Sequence, residues 1–293
     1  MNWIVVTLIA AAAQTGRNAA QRKLTAEIGT MGATAVRFLF GLPFAAVFLL
    51  ALSATTPIPT PGLRALVSTL VGAASQIAAT ALMLAAMERR GFGVTTALIK
   101  TEPVTLAIFG ALWLGDTLGP VHMAAIAIAT FGVVLMSGTN WRSGGWGAVG
   151  LGIAAGALFG LSAIGFRGAI LALPYGLSFL RASTILALSL LMQSAIMLAW
   201  FLLRDRATLR GIIRHWRGSL GAGFLGAFAS FFWFHGFALT AAANVRTLAL
   251  VEVVMAQLVS GRIFREGASQ RQLLGMALIV AGVALLIAVS ASG

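Results

Sequence analysis

Residues 99–134 read IKTEPVTLAIFGALWLGDTLGPVHMAAIAIATFGVV, and three positions in this stretch recur later in the chain. Glu102, Asp116 and Gly132 are followed 150 positions on by Glu252, Glu266 and Gly282. In both copies the first acid lies inside an apolar segment, where an ionised carboxylate is costly in hydrocarbon. Coincidence of such residues is far less expected than coincidence of alanines or leucines, so the chain reads as an internal duplication.

The duplication extends outward from that stretch. Ile9-Ala10-Ala11 reappears as Ile153-Ala154-Ala155, Gly16 matches Gly160, and Arg37 matches Arg181, all 144 apart, while Gly72 matches Gly226 at 154. The offset changes only between apolar segments, as short loop insertions require. The two copies divide the chain at 1–139 and 140–293.

Composition places both copies in a membrane. Of 293 residues 59% are hydrophobic and only 9% charged, against roughly 25% charged in a soluble domain, and mean hydropathy is +0.97. A spanning helix needs about 20 mostly apolar residues. Glycine, proline and charge clusters cut the sequence into ten such stretches, at roughly 2–22, 30–52, 65–87, 92–114, 119–138, 146–170, 176–203, 218–240, 243–263 and 271–290. They are too long for outer-membrane strands of about ten alternating residues, so the expected class is an all-α membrane protein with ten transmembrane helices. The first segment lacks a basic lead and a small-residue cleavage site, and reads as the first span rather than a signal peptide.

Five spans per copy is an odd number, so the second copy enters the bilayer upside down relative to the first. Inverted repeats offer two nearly equivalent conformations, which is the basis of alternating access. Of the 20 basic residues, 13 fall in loops on one face, including the run Arg204, Arg206, Arg210, Arg214 and Arg217. The positive-inside bias makes that face cytoplasmic and puts both termini on the non-cytoplasmic side of a cell inner membrane. The same run suits a loop resting on anionic headgroups. Nothing in the charge of +13 resembles a nucleic-acid module.

Several chemistries are excluded early. Cysteine is absent, which removes disulfides, thiolate metal sites and cysteine nucleophiles. His122, His215 and His235 lie in different segments without metal-ligand spacing. No nucleophile or acid–base pair has recognisable spacing, so the protein is read as neither an enzyme nor a metalloprotein.

Thr101-Glu102-Pro103-Val104, Leu114-Gly115-Asp116 and the glycine of Phe131-Gly132-Val133-Val134 resemble the closing segment of EamA repeats in the drug/metabolite transporter superfamily. Val251-Glu252-Val253, Phe264-Arg265-Glu266 and Ala281-Gly282-Val283 are similar, and Val36-Arg37-Phe38 fits the start of the second span. The resemblance covers essentially the whole chain. It implies two inverted five-helix EamA repeats, transport of a small metabolite and no cofactor. Asp116 departs from the usual Glu, and Val253 replaces the proline of the first copy, which suggests a ninth span straighter than the fourth.

The candidate working residues follow from the cost of polarity in a bilayer. Glu102 and Glu252 either couple transport, by binding a proton on one side and releasing it on the other, or act as structural locks paired to Arg37 and Arg181. Lys100, about 200° around a helix from Glu102, either attracts a substrate carboxylate or pairs with an acid on another helix. Gln14, Arg17 and Asn18, with Gln21, form a polar stripe suited to a cavity or to a neighbouring helix. Phe231 and His235 share a helical face with Phe228 and Phe232, either as an aromatic cavity wall or as packing. Gln76, with Ser75 and Thr80, and Asn244 with Arg246 are further pocket candidates, and Asp116 and Glu266 are expected to cap helices.

The expected function is therefore secondary transport, in the exporting direction, of a small metabolite such as an amino acid or related amphipathic compound, with proton coupling and exchange both open. The alternative is a non-transporting membrane scaffold or a subunit of a lipid-modifying complex. The expected partners are the substrate, membrane lipids and protons. The chain carries both repeats and is taken as a monomer, with dimerisation open.

Overall fold

The computed structural model describes residues 2–54, 56–90, 98–136, 145–254 and 269–292, and the side chains of a few helical residues, among them Asn18, Gln21, Arg22 and Lys23, lie outside that description. The described residues are helical, with no strand among them. In chain order they form α1 (Trp3–Leu39), α2 (Gly41–Leu52), α3 (Leu63–Arg90), α4 (Glu102–Phe109), α5 (Pro120–Met136), α6 (Gly145–Leu171), α7 (Ser178–Arg204), α8 (Arg206–Arg214), α9 (Trp216–Leu239), α10 (Ala242–Leu248) and α11 (Gln270–Ser292).

Among the described residues six segments are long and apolar enough to cross a membrane, and they stand where the second, third, sixth, seventh, eighth and tenth spans are expected. Shorter apolar helices, Trp3–Gln14, Glu102–Leu114 and Pro120–Met136, occupy the places of the first, fourth and fifth. The ninth begins with α10, and its far part at 255–263 falls outside the described residues, as do Arg262, Arg265 and Glu266.

The chain folds as two compact units, each drawing on both halves of the sequence. The first combines Met1–Ile77 with Gly165–Thr240, and the second combines Ala78–Ile164 with Ala241–Gly293. Helices α3 and α6 run from one unit into the other, so the duplication seen in sequence is not a division into two separately packed bodies.

In the first unit α1 lies along α9, and α7 packs against α2 and α9. Helix α1 is broken at Gly29, whose φ of 70° and ψ of 171° lie in a region that essentially only glycine adopts. The break lies just inside the start of the span Glu27–Leu52. A Cβ at Gly29 would meet open space, so its cost is purely one of backbone conformation. Gly29→Ala is expected to destabilise the protein by about 1–3 kcal/mol, read as a lowered melting temperature in detergent; an unchanged value would mean that the turn re-forms without glycine.

The second unit is held by α5 against α11. A Cβ on Gly132 would stand 2.7 Å from the Gly275 carbonyl oxygen and 2.8 Å from the Ile279 nitrogen. A Cβ on Gly282 would stand 2.6 Å from the Ala129 nitrogen and 2.7 Å from the Ala125 carbonyl oxygen. The duplicated glycines thus face each other's helices, backbone on backbone, as small-residue interfaces in membranes do. Without a hydrophobic drive between helices in lipid, this close van der Waals contact is what joins them.

The short helix α8 lies outside the spanning segments. Asp205 caps its start, accepting from the Thr208 backbone N–H at 3.1 Å and from the Thr208 hydroxyl at 2.6 Å. Those donors, the hydroxyl first, hold the Asp205 carboxyl below its ordinary pKa of 3.8. Because the folded form binds its proton less tightly than the unfolded one, the cap contributes above that ordinary value and is lost as pH falls through the depressed one. Asp205→Ala is expected to speed amide exchange over 206–214 at neutral pH and to make no difference at strongly acidic pH; equal exchange at neutral pH would count against the cap.

Candidate functional site

The fourth span is interrupted near the start of its described part. Leu98 and Ile99 are helical, Lys100 and Thr101 form a turn, and α4 starts at Glu102. The Thr101 N–H donates to the Leu98 carbonyl at 3.3 Å and the Val104 N–H to the Thr101 carbonyl at 3.1 Å, tightening the chain to three-residue spacing. Pro103, in the first turn of α4, brings no N–H and disfavours helical geometry in the residue before it.

The ninth span is interrupted at the same place in the repeat. Helix α10 ends at Leu248, Ala249 and Leu250 turn, and helix resumes over 251–254. The Glu252 N–H donates to the Ala249 carbonyl at 3.1 Å and the Val253 N–H to the Leu250 carbonyl at 3.0 Å. The expectation of a straighter ninth span is therefore corrected: the break occurs without the proline. What the two breaks share is a carboxylate in the first turn of the helix that follows, where the positive end of the helix dipole favours it.

Each carboxylate faces a base from the other half of the chain. Arg246 Nε lies 3.3 Å from Glu102 Oε1, and Lys100 Nζ lies 3.8 Å from Glu252 Oε2. The side chains of Glu102 and Arg246 are 11% and 19% exposed, and those of Glu252 and Lys100 19% and 22%. The oxygens facing these bases, Glu102 Oε1 and Glu252 Oε2, are enclosed yet accept no hydrogen bond. The contacts are ion pairs held by charge rather than by aligned N–H donors, so they are close but unlocked. All four residues belong to the second unit.

These pairings replace the expected ones. Arg37 and Arg181 belong to the first unit. Arg181 donates from Nε and Nη2 to the Ile170 carbonyl, at 3.0 and 2.6 Å, tying α7 to the end of α6. The Arg37 guanidinium lies 4.8 Å from the centre of the Phe38 ring. Glu102 and Glu252 instead take Arg246 and Lys100. Of the two readings open for Lys100, the structure displays the pairing with an acid on another helix. Arg246, ranked in sequence as a minor pocket candidate, is a principal partner.

The remaining candidates lie in the first unit. Trp233 Nε1 donates to Gln14 Oε1 at 3.1 Å, and Gln193 Nε2 donates to Gln76 Oε1 at 2.8 Å. Both are bonds between helices, α9 to α1 and α7 to α3. Gln193 is almost wholly buried and was missed in sequence, although a glutamine within an apolar span is itself the signal. Arg17 is 8% exposed, and its Cδ would lie 3.6 Å from a Cβ at Gly226, whose other flank meets Arg37. The Asn18 side chain lies outside the described residues.

Phe231 stacks on Phe179 with centroids 5.7 Å apart and meets Phe48 edge-on at 5.6 Å. His235, 1% exposed, stacks on the same Phe179 at 3.5 Å. The aromatic face of α9 is thus engaged in packing with α2 and α7. Asp116 follows the end of the preceding helix, four residues before α5 starts at Pro120, its N–H donating to the Gly110 carbonyl at 3.1 Å, after Gly115 at a φ of 69°. Among the described residues no group of histidines and acids could hold a metal ion.

A helical chain of repeated apolar spans defines a multi-pass membrane protein. The chain belongs to the EamA-like transporter family, whose sequence signature matches residues 1–138 and again 146–288. Membership points to a transporter, not an enzyme. A solved crystal structure is similar, with a TM-score of 0.72 over 98% of this chain and 96% of that one. At 16% identity that likeness shows the fold alone. No curated protein matches the sequence.

Proposed function

We propose that the protein is a secondary transporter that exports a small metabolite, an amino acid or related amphipathic compound, by alternating access. In this reading the chain has ten spanning helices in two inverted repeats, 1–139 and 140–293, with both termini outside the inner membrane. The observation that carries it is the reciprocal charge pairing: Glu102 with Arg246 and Glu252 with Lys100, at matched helix breaks. A device for binding alone needs no such duplication. A carrier does, because the same contacts must be made and broken in two related arrangements.

The breaks supply the moving part. A helix interrupted at mid-length leaves backbone groups for a substrate and lets its halves turn separately. Neither contact is held by an aligned hydrogen bond, so each pair can open once a proton or a ligand compensates its charges. Protonation of either carboxylate would release its base, which gives proton coupling a physical route; substrate exchange uses the same opening without a proton. Gln14, Arg17, Asn18, Gln76, Phe231 and His235 are kept as proposed substrate contacts.

The test is a comparison of metabolites inside and outside cells making equal membrane amounts of the wild type or Glu102→Gln. A compound depleted inside and enriched outside only with the wild type is the expected result. Identical distributions for every compound, with both proteins folded, would remove the transport reading and favour a scaffold.

A further inference from the structure

We propose that the Lys100–Glu252 pair is the recognition site for a zwitterion, opening to receive a ligand that carries a carboxylate and an ammonium group on one carbon. The inference rests on the transporter reading and names the class of substrate that this pair selects.

The two ion pairs are unlike. Arg246 and Glu102 are closer, at 3.3 Å, and Glu102 is the most enclosed of the four side chains. Lys100 and Glu252 stand 3.8 Å apart and are more open on both sides. An ammonium on a flexible four-carbon stem can swing away, whereas a guanidinium is a planar group suited to a fixed contact. The lysine pair is therefore the one that yields, and the arginine pair the brace beside it.

Opening a partly buried ion pair leaves two uncompensated charges, which is strongly unfavourable unless both are matched at once. A monocation could satisfy Glu252 but would strand Lys100. A monoanion could satisfy Lys100 but would strand Glu252. A zwitterion satisfies both: its carboxylate takes the Lys100 ammonium, its ammonium takes the Glu252 carboxylate, and the net charge of the site is unchanged. Glu252 Oε2, enclosed and without a hydrogen bond, is an acceptor waiting for such a donor. Selectivity arises from the penalty against the wrong ligands as much as from attraction to the right one.

The experiment is calorimetric titration of the purified full chain with two ligand series. The first is leucine, isoamylamine, which lacks the carboxylate, and 4-methylpentanoate, which lacks the ammonium; the second is phenylalanine with phenethylamine and 3-phenylpropanoate. The wild type is expected to bind at least one zwitterion about tenfold or more tighter than either partner in its series. Lys100→Met should turn the preference to the amine and Glu252→Gln to the carboxylate. The double variant Lys100→Met/Glu252→Gln strands no charge, so it keeps the test usable where a single variant fails to fold, and it should lose the discrimination.

No zwitterion preference in the wild type, or a double variant that retains it, would overturn the proposal. Counterflow of a cell metabolite extract in proteoliposomes separates the two levels. Saturable counterflow without zwitterion binding removes this site and leaves the transporter; no saturable counterflow of any component removes both.

Discussion

Gly132→Leu and Gly282→Leu are each expected to prevent the second unit from forming. At both positions the first side-chain atom would fall 2.6 to 2.8 Å from backbone atoms of the facing helix, closer than real contacts allow. Backbone cannot rotate away as a side chain can. The helices must separate, forfeiting contact along the length of α5 and α11, so the cost should exceed the about 1–3 kcal/mol typical of overpacking. Size-exclusion profiles of detergent extracts should show aggregate in place of the folded peak. Gly147→Leu, where a Cβ meets open space, is the matched control. A folded, wild-type-like melting profile for both motif variants would contradict the packing described.

Removing one member of the arginine pair should be the second large effect. Arg246→Met leaves the Glu102 carboxylate enclosed without the cation it faces, at a cost of about 3–5 kcal/mol for a buried pair. The double variant Glu102→Gln/Arg246→Met should recover most of that loss, because the stranded charge is gone. Recovery in stability should not restore transport if the carboxylate works in the cycle, so melting temperature and counterflow should part company in the double variant. If Arg246→Met alone melts as the wild type does, the 3.3 Å contact is a surface pair of the kind that contributes little.

The difference between these two predictions shows what sequence could reveal. The glycines, the acids and the places of the spans were legible because they repeat: Gly132 with Gly282, and Glu102 with Glu252, lie at one offset. The bases do not repeat. The position matching Lys100 is Leu250, and the position matching Arg246 is Thr96. A comparison of the two halves therefore found both carboxylates and neither partner. It offered Arg37 and Arg181 instead, since those do match, but both belong to the first unit, where Arg181 donates to the Ile170 carbonyl.

The break in the ninth span was hidden for a related reason. Pro103 signals the fourth break through covalent geometry, whereas the ninth depends on hydrogen bonds at Ala249 and Leu250 that no residue type announces. The interleaving of the two halves into units was likewise invisible, because it depends on which faces meet in space. By contrast, Phe231 and His235 were correctly placed on one face of one helix; only their neighbours, Phe179 and Phe48, were beyond reach.

The central claim is that this chain carries a small molecule through reciprocal movement of its two halves. The most direct test is counterflow in liposomes holding the purified protein, preloaded with a metabolite extract and given the same extract in labelled form outside. The account predicts saturable accumulation of at least one component in the wild type, abolished in Glu252→Gln. Accumulation of no component, or a linear unsaturable flux equal in both proteins, would contradict it.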